Sequence, residues 1–227
     1  MPPVEIGRFR YLGLLLALNV TFLLVSDFTG ARIVSIFGIG VSVTVWYFPL
    51  TYLIGDVLAE VYGYGVARRV AWLSIACSIL GSAVTGAQLL IPPAAFFDAD
   101  PAFHIVFSPS LTIAVAGLLA FFGGDMSCAY VLAKMKIWNR GRRLWLRFVV
   151  STMAGEGVNT ALFYGVALRG ALPGSALFEA IALGWALKVL VEIGLLPLTY
   201  WTVRFLKQRE DVDHYDDATD FNPFQLL

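Results

Sequence analysis

Residues 44–64 read TVWYFPLTYLIGDVLAEVYGY, an apolar run interrupted by two acids, Asp56 and Glu60. At about 1.5 Å of rise per residue, some 20 mostly apolar residues cross a hydrocarbon core of about 30 Å. This run is long enough, and comparable runs recur at 9–27, 69–92, 109–134, 145–168 and 177–205. The chain has 227 residues, of which 59% are hydrophobic and 14% charged, where a soluble domain carries about a quarter charged. Its mean hydropathy is +0.76, so lipid rather than water is the expected solvent. The predicted fold is an all-α polytopic membrane protein of six transmembrane helices. Residues 1–207 form the membrane domain and 208–227 an acidic tail. That tail reads most simply as a solvated flexible end, although Phe221 and Phe224 leave room for it to fold back.

The run at 9–27 follows Arg8 and Arg10 and precedes Thr29-Gly30-Ala31, which imitates a signal peptide with its cleavage site. Asn19 interrupts it and similar runs follow, so an uncleaved first helix is expected. Residues 28–43 alternate around Gly38-Ile39-Gly40 and suggest a short hairpin or a re-entrant segment.

Charge sets the expected orientation. Arg8 and Arg10, Arg68 and Arg69, the cluster from Lys134 to Arg147, and Arg204, Lys207 and Arg209 fall on one side of six alternating spans. Only Arg32 and Arg169 fall on the other, which predicts that both termini are cytoplasmic. The Lys134–Arg147 patch is a short loop between spans. Topology and anionic lipid account for it, and nucleic acid is not an expected partner.

Ionisable groups inside spans are costly and usually face a bundle interior or a watery cavity. The candidates are Asn19, Asp56, Glu60, Asp125, Glu156, Asn159, Lys188 and Glu192. Counted by helical rise, Asn19, Asp56, Glu156 and Lys188 fall near mid-span, and Asp125 and Glu60 lie deeper toward the cytoplasm. Asp27 reads as an interfacial residue. Midplane polar groups drawn from several helices are the usual makings of a transporter site. Asp56 and Glu60 share one helix face and repel each other when both are ionised, whereas Lys188 and Glu192 at the same spacing can neutralise each other. The acids outnumber Lys188, so the excess must be protonated, solvated or bound to cargo. Trp46-Tyr47-Phe48 reads as an interfacial belt or, with Trp46, as a stacking platform. Ser74, Ser78, Ser82 and Gly86 form a small-residue stripe suited to close helix packing.

Enzyme readings find little support. His104 and His214 lie outside the spans, and Gly55-Asp56 and Gly124-Asp125 lack the Gly-x-Gly-Asp context of intramembrane aspartyl proteases. No phosphate-binding loop is present. Cys77 and Cys128 sit in apolar runs without metal or disulfide spacing, so no cofactor is expected.

Three segments together resemble the queuosine precursor transporter family, also called the vitamin uptake transporter group. They are Phe48-Pro49-Leu50-Thr51-Tyr52 with Asp56 and Glu60-Val61-Tyr62-Gly63, then Gly155-Glu156-Gly157-Val158-Asn159-Thr160, then Lys188 to Glu192 before Pro197-Leu198-Thr199-Tyr200. Asn19 and the tail from Tyr215 to Phe224 add to the likeness. The resemblance implies import of 7-deazaguanine queuosine precursors, cyano or aminomethyl, across a bacterial inner membrane for salvage. On that reading Asp56, Glu156 and Glu192 accept the N–H edge of the base, and Asn19 and Asn159 read its carbonyl and ring nitrogens. Lys188 balances charge or donates to the carbonyl oxygen. The family pattern commonly has Asp at the place of Asn159, and an amide there cannot carry a proton. Two other readings stay open. One is a substrate-binding subunit of an energy-coupling-factor transporter, and the other is a membrane scaffold without cargo. The expected partners are a nucleobase and the lipid bilayer, with room for a homo-oligomer.

Overall fold

A computed structural model describes residues 9–30, 32–107, 111–167, 174–217 and 219–225. The first helix, α1 (Leu12–Thr29), leads into the strands β1 (Ile33–Ile36) and β2 (Ile39–Ser42). These pair antiparallel, with Ile33 opposite Ser42 and Ile36 opposite Ile39. The two-residue turn between them holds Phe37 at φ 51° and Gly38 at φ 81°, the left-handed pair that a tight hairpin needs. The expected hairpin is therefore present. Its end is tied down by Ser42, whose hydroxyl donates to the Gly30 carbonyl at 2.8 Å and caps the 3-10 turn Val43–Trp46.

The 44–64 run does not form one long helix. Pro49 fits only the first turn of a helix, and Gly63 at φ 89° ends it, leaving α2 (Pro49–Tyr62) with 14 residues. This helix is about 21 Å long, short of the hydrocarbon core. It is buried along almost its whole length and touches α1, α3 (Tyr64–Gln88), α5 (Leu111–Trp138) and α7 (Gly174–Glu210). A short helix, α4 (Asp100–Phe107), precedes α5, and α6 (Leu144–Ala167) lies against both α5 and α7. The α5–α6 approach is close because Gly124 and Gly155 meet. A Cβ on Gly155 would come within 2.6 Å of the Cys128 Cβ and 2.9 Å of the Gly124 carbonyl oxygen.

Among the described residues, four helices are long and apolar enough to cross a membrane: α1, α3, α5 and α7. The two other expected spans correspond to α2, which is too short, and α6. The latter has 24 residues, yet Arg147, Ser151, Thr152, Glu156, Asn159 and Thr160 give it a buried polar stripe. The distribution of side chains is inverted relative to a soluble protein. Leu80, Leu90 and Trp201 are exposed while Asp56, Glu60, Arg147 and Glu156 are buried.

One end of the bundle is closed by ions. Glu60 accepts from Arg147 at 2.5 and 3.2 Å and from Lys207 at 2.7 Å, and Lys136 lies 3.6 Å away. Lys136 and Lys207 also hold Asp213, at 2.6 and 2.8 Å. Burial pushes the Asp213 carboxyl up, but the two ammoniums outweigh it and hold the group below the ordinary carboxylate value.

The tail is not a solvated end. Tyr11 at the start of α1 donates its N–H to Glu210 at 2.7 Å, so the two ends of the bundle domain lie together. From there the chain returns across the α2–α3 junction. The His214 N–H reaches the Val61 carbonyl at 3.1 Å, and the Asp216 carboxylate accepts the Tyr64 N–H at 3.1 Å. Arg68 donates to the carbonyls of Asp220 and Asn222, and Trp72 to that of Pro223. Phe221 lies against Tyr64 with Lys134 above its ring, and Phe224 lies against Trp72 and Phe122. Asp216 therefore caps a helix start 152 residues earlier in the chain, and its own exposure is 2%.

Asp216→Ala should cost about 1 kcal/mol, the usual worth of such a cap. It should speed amide exchange over residues 212–225 and the first turn of α3 while leaving α7 protected. In the native protein, exchange corrected for intrinsic rates should stay slow above about pH 4. It should loosen as the pH falls through the depressed value of Asp213, because a lowered carboxylate contributes only while ionised. Glu60→Gln leaves cations facing one another in a dry site, and thermal unfolding in detergent should register a loss of about 3 kcal/mol or more.

Candidate functional site

Above the ionic closure the polar residues fall into two further levels. The nearer level holds three carboxyl groups. Asp56 on α2 accepts from the Cys128 thiol at 3.2 Å and the Ser151 hydroxyl at 3.3 Å. Asp125 on α5 lies against α2, where a Cβ on Gly55 would meet its Oδ1 at 2.9 Å. Glu192 on α7 accepts from Thr152 at 2.7 Å, and its other oxygen, Oε2, is buried without a hydrogen-bond partner. No ion pair reaches these three groups among the described residues.

One helical turn further along α7, Lys188 donates to Glu156 at 3.0 Å and to Asn159 Oδ1 at 2.8 Å. Its ammonium also sits 4.6 Å from the centre of the Phe48 ring. Lys188, Asn159 and Phe48 form one wall of a cavity of about 210 Å³. Its lining also carries Asp27, whose carboxylate accepts from the Ser78 hydroxyl at 2.5 Å. The hydroxyls of Ser42, Ser82 and Tyr164 and the rings of Phe28 and Phe163 complete much of the lining. Glu156 is fully buried behind Lys188 and keeps one oxygen, Oε1, without a partner.

The structure thus separates the residues singled out by the sequence. Asn159 and Lys188 line the cavity with Glu156 directly behind them, while Asp56, Asp125 and Glu192 lie one level below. Glu60 belongs to the ionic closure. Asn19 donates to Ser74 at 3.0 Å and joins α1 to α3. Trp46 is 57% exposed and does not line the cavity; the aromatic wall comes from Phe48, two residues on. Lys188 is balanced by Glu156 on α6 rather than by Glu192 on its own helix. Asp27 and Ser78 were not singled out as site residues. Asp27 lies eight positions after Asn19, about 80° around α1 from it, so helical spacing did not mark it.

The cavity offers an aromatic face, a cationic and amide edge, and a carboxylate with hydroxyls. That set suits a flat polar heterocycle of modest size. No group of three or more potential metal ligands occurs among the described residues.

Comparison with known proteins agrees with this geometry. The family described as "Putative vitamin uptake transporter" matches residues 42–202. A curated protein of Bacillus subtilis (strain 168), named "Probable queuosine precursor transporter", is 26% identical over 180 residues, covering 79% of each chain. No solved structure matches the chain. The match spans α2 to most of α7, including every cavity residue beyond the hairpin, and makes this a multi-pass membrane transporter protein. The chain belongs to the vitamin uptake transporter family, the group of the queuosine precursor transporters.

Proposed function

We propose that the protein imports a 7-deazaguanine precursor of queuosine across the bacterial inner membrane, carrying the base without transforming it. The observation behind this reading is Lys188, held between Glu156 and Asn159 above the Phe48 ring at the wall of the cavity. A deazaguanine stacks on Phe48 and receives the Lys188 N–H on its carbonyl oxygen. Its N–H edge faces acceptors, with Asp27 in the cavity lining as the carboxylate in reach. Glu156 orients Lys188 and keeps its charge balanced. The curated relative's name points to the same class of cargo.

The membrane arrangement we propose has six spans and both termini in the cytoplasm. The 3-10 turn and α2 together run from Val43 to Tyr62 and make one crossing, with α6 as another whose polar stripe faces inward. Arg68, Lys136, Arg147 and Lys207 gather at the end where the two termini meet, in line with the preference of cations for the cytoplasmic side. In this arrangement residues 1–207 are the transport domain and 208–227 a cytoplasmic tail covering its inner end.

The test is ligand-dependent stabilisation of the purified protein. At a hundredfold excess over its Kd, 7-cyano-7-deazaguanine should add about 2.7 kcal/mol to the unfolding free energy. Phe48→Ala and Lys188→Met should each lose most of that gain, and Asp27→Asn should weaken it. Absence of any shift across cyano, aminomethyl and mature deazaguanines, or an undiminished shift in both Phe48→Ala and Lys188→Met, would overturn the reading.

A further inference from the structure

The carboxyl groups beneath the cavity are not needed to line it, yet no ion pair compensates them among the described residues. Glu192 is 3% exposed and Asp56 2%, and consecutive hydroxyls on α6 bring them to one level, Ser151 donating to Asp56 and Thr152 to Glu192. Every cation with an ion pair in the bundle interior is committed elsewhere. Lys188 goes to Glu156, while Arg147, Lys136 and Lys207 go to Glu60 and Asp213. The titratable groups around the pair are Tyr52 and Glu60 on α2, Asp125 and Cys128 on α5 and Glu156 on α6. Acids dominate that set, and the donors to the pair are the hydroxyls of Ser151 and Thr152 and the Cys128 thiol. Two adjacent ionised carboxylates here would repel each other without hydration. The partnerless Oε2 of Glu192 is the position where a shared proton would sit.

A path leads to this pair from both ends. From the cavity it runs through Lys188 and Glu156, whose partnerless Oε1 is also buried, and then one turn along α7 to Glu192. Asp56 stands one turn from Glu60 on α2, where the ionic closure meets the tail.

We propose that the Asp56–Glu192 carboxyl pair is the proton-carrying element that couples cargo import to the proton gradient. The pair takes up one proton from the outer side through the cavity and releases it at the tail end, so that each inward movement of the base carries one proton. This rests on the transport reading above.

Purified full-length protein in liposomes, with labelled 7-cyano-7-deazaguanine as probe, separates the two ideas. Counterflow without a gradient reports transport alone. An acid exterior should then drive accumulation, about tenfold per pH unit for one proton per neutral base. Asp56→Asn and Glu192→Gln should each remove the response, so that uptake is the same with and without the gradient. Infrared spectra of the wild type at pH 7, taken without cargo, should contain protonated-carboxyl C=O absorption that either variant shifts or weakens. Counterflow without gradient-driven accumulation in the wild type would overturn the coupling and leave transport standing. A missing infrared band, or variants that keep the full gradient response, would overturn it as well. Absence of counterflow would overturn both ideas.

Discussion

A charge buried where no water can reach it must be neutralised on the spot, by an opposite charge or by a proton. That constraint arranges the interior of this protein into levels. Glu60 collects Arg147 from α6, Lys136 from α5 and Lys207 from α7, so one carboxylate joins three helices to α2. Lys188 repeats the device at the cavity, with one ammonium shared between Glu156 and Asn159. Among the described residues no ion pair reaches the level between them, which is built from carboxyls, hydroxyls and the Cys128 thiol.

The two ends of the bundle are therefore held by different forces. At the tail end, ion pairs and the returning chain act together, because Asp213 joins the cluster and Asp216 caps α3. At the far end, among the described residues, the elements meet through neutral hydroxyl contacts, such as Ser42 with Gly30 and Thr29 with Tyr47, and through rings such as Phe28 with Phe107. Neutral contacts exchange with water at little cost, whereas separating desolvated ions is expensive. Opening toward the tail side thus requires the ionic cluster and the strap to give way together, while access at the hairpin side does not. A cavity lying closer to the hairpin end agrees with that imbalance.

Much of this was legible in the sequence, and what was not has identifiable causes. Apolar length located the long helices, and Gly38 marked the hairpin. The cost of buried charge pointed inward to Asp56, Glu156 and Lys188. Pairing was the part that could not be read. Glu60 and Arg147 are 87 residues apart and Glu60 and Lys207 are 147 apart, so periodicity carries no trace of either bond. Lys136 and Arg147 looked like interfacial cations for the same reason. Spacing suggested that Lys188 would pair with Glu192, one turn away, but tertiary packing brought α6 closer. The apolar run at 44–64 masked a short helix because local punctuation at Pro49 and Gly63 outranks hydropathy. The acidic composition of the tail concealed its two aromatic anchors, Phe221 and Phe224.

Asn159 gains a physical meaning from this arrangement. Lys188 is already balanced by Glu156, so a second carboxylate at position 159 would leave the cavity wall with a net negative charge. The amide offers Lys188 the same acceptor oxygen at 2.8 Å without adding charge. With that cluster neutral, the electrostatic character of the cavity is set by Asp27. The excess of acid is displaced one turn deeper, to Asp56 and Glu192. Uncompensated acid thus falls at two levels of the same bundle, Asp27 at the cargo cavity and the Asp56–Glu192 pair below it, and the lower level is reached from the cavity along the single turn of α7 between Lys188 and Glu192.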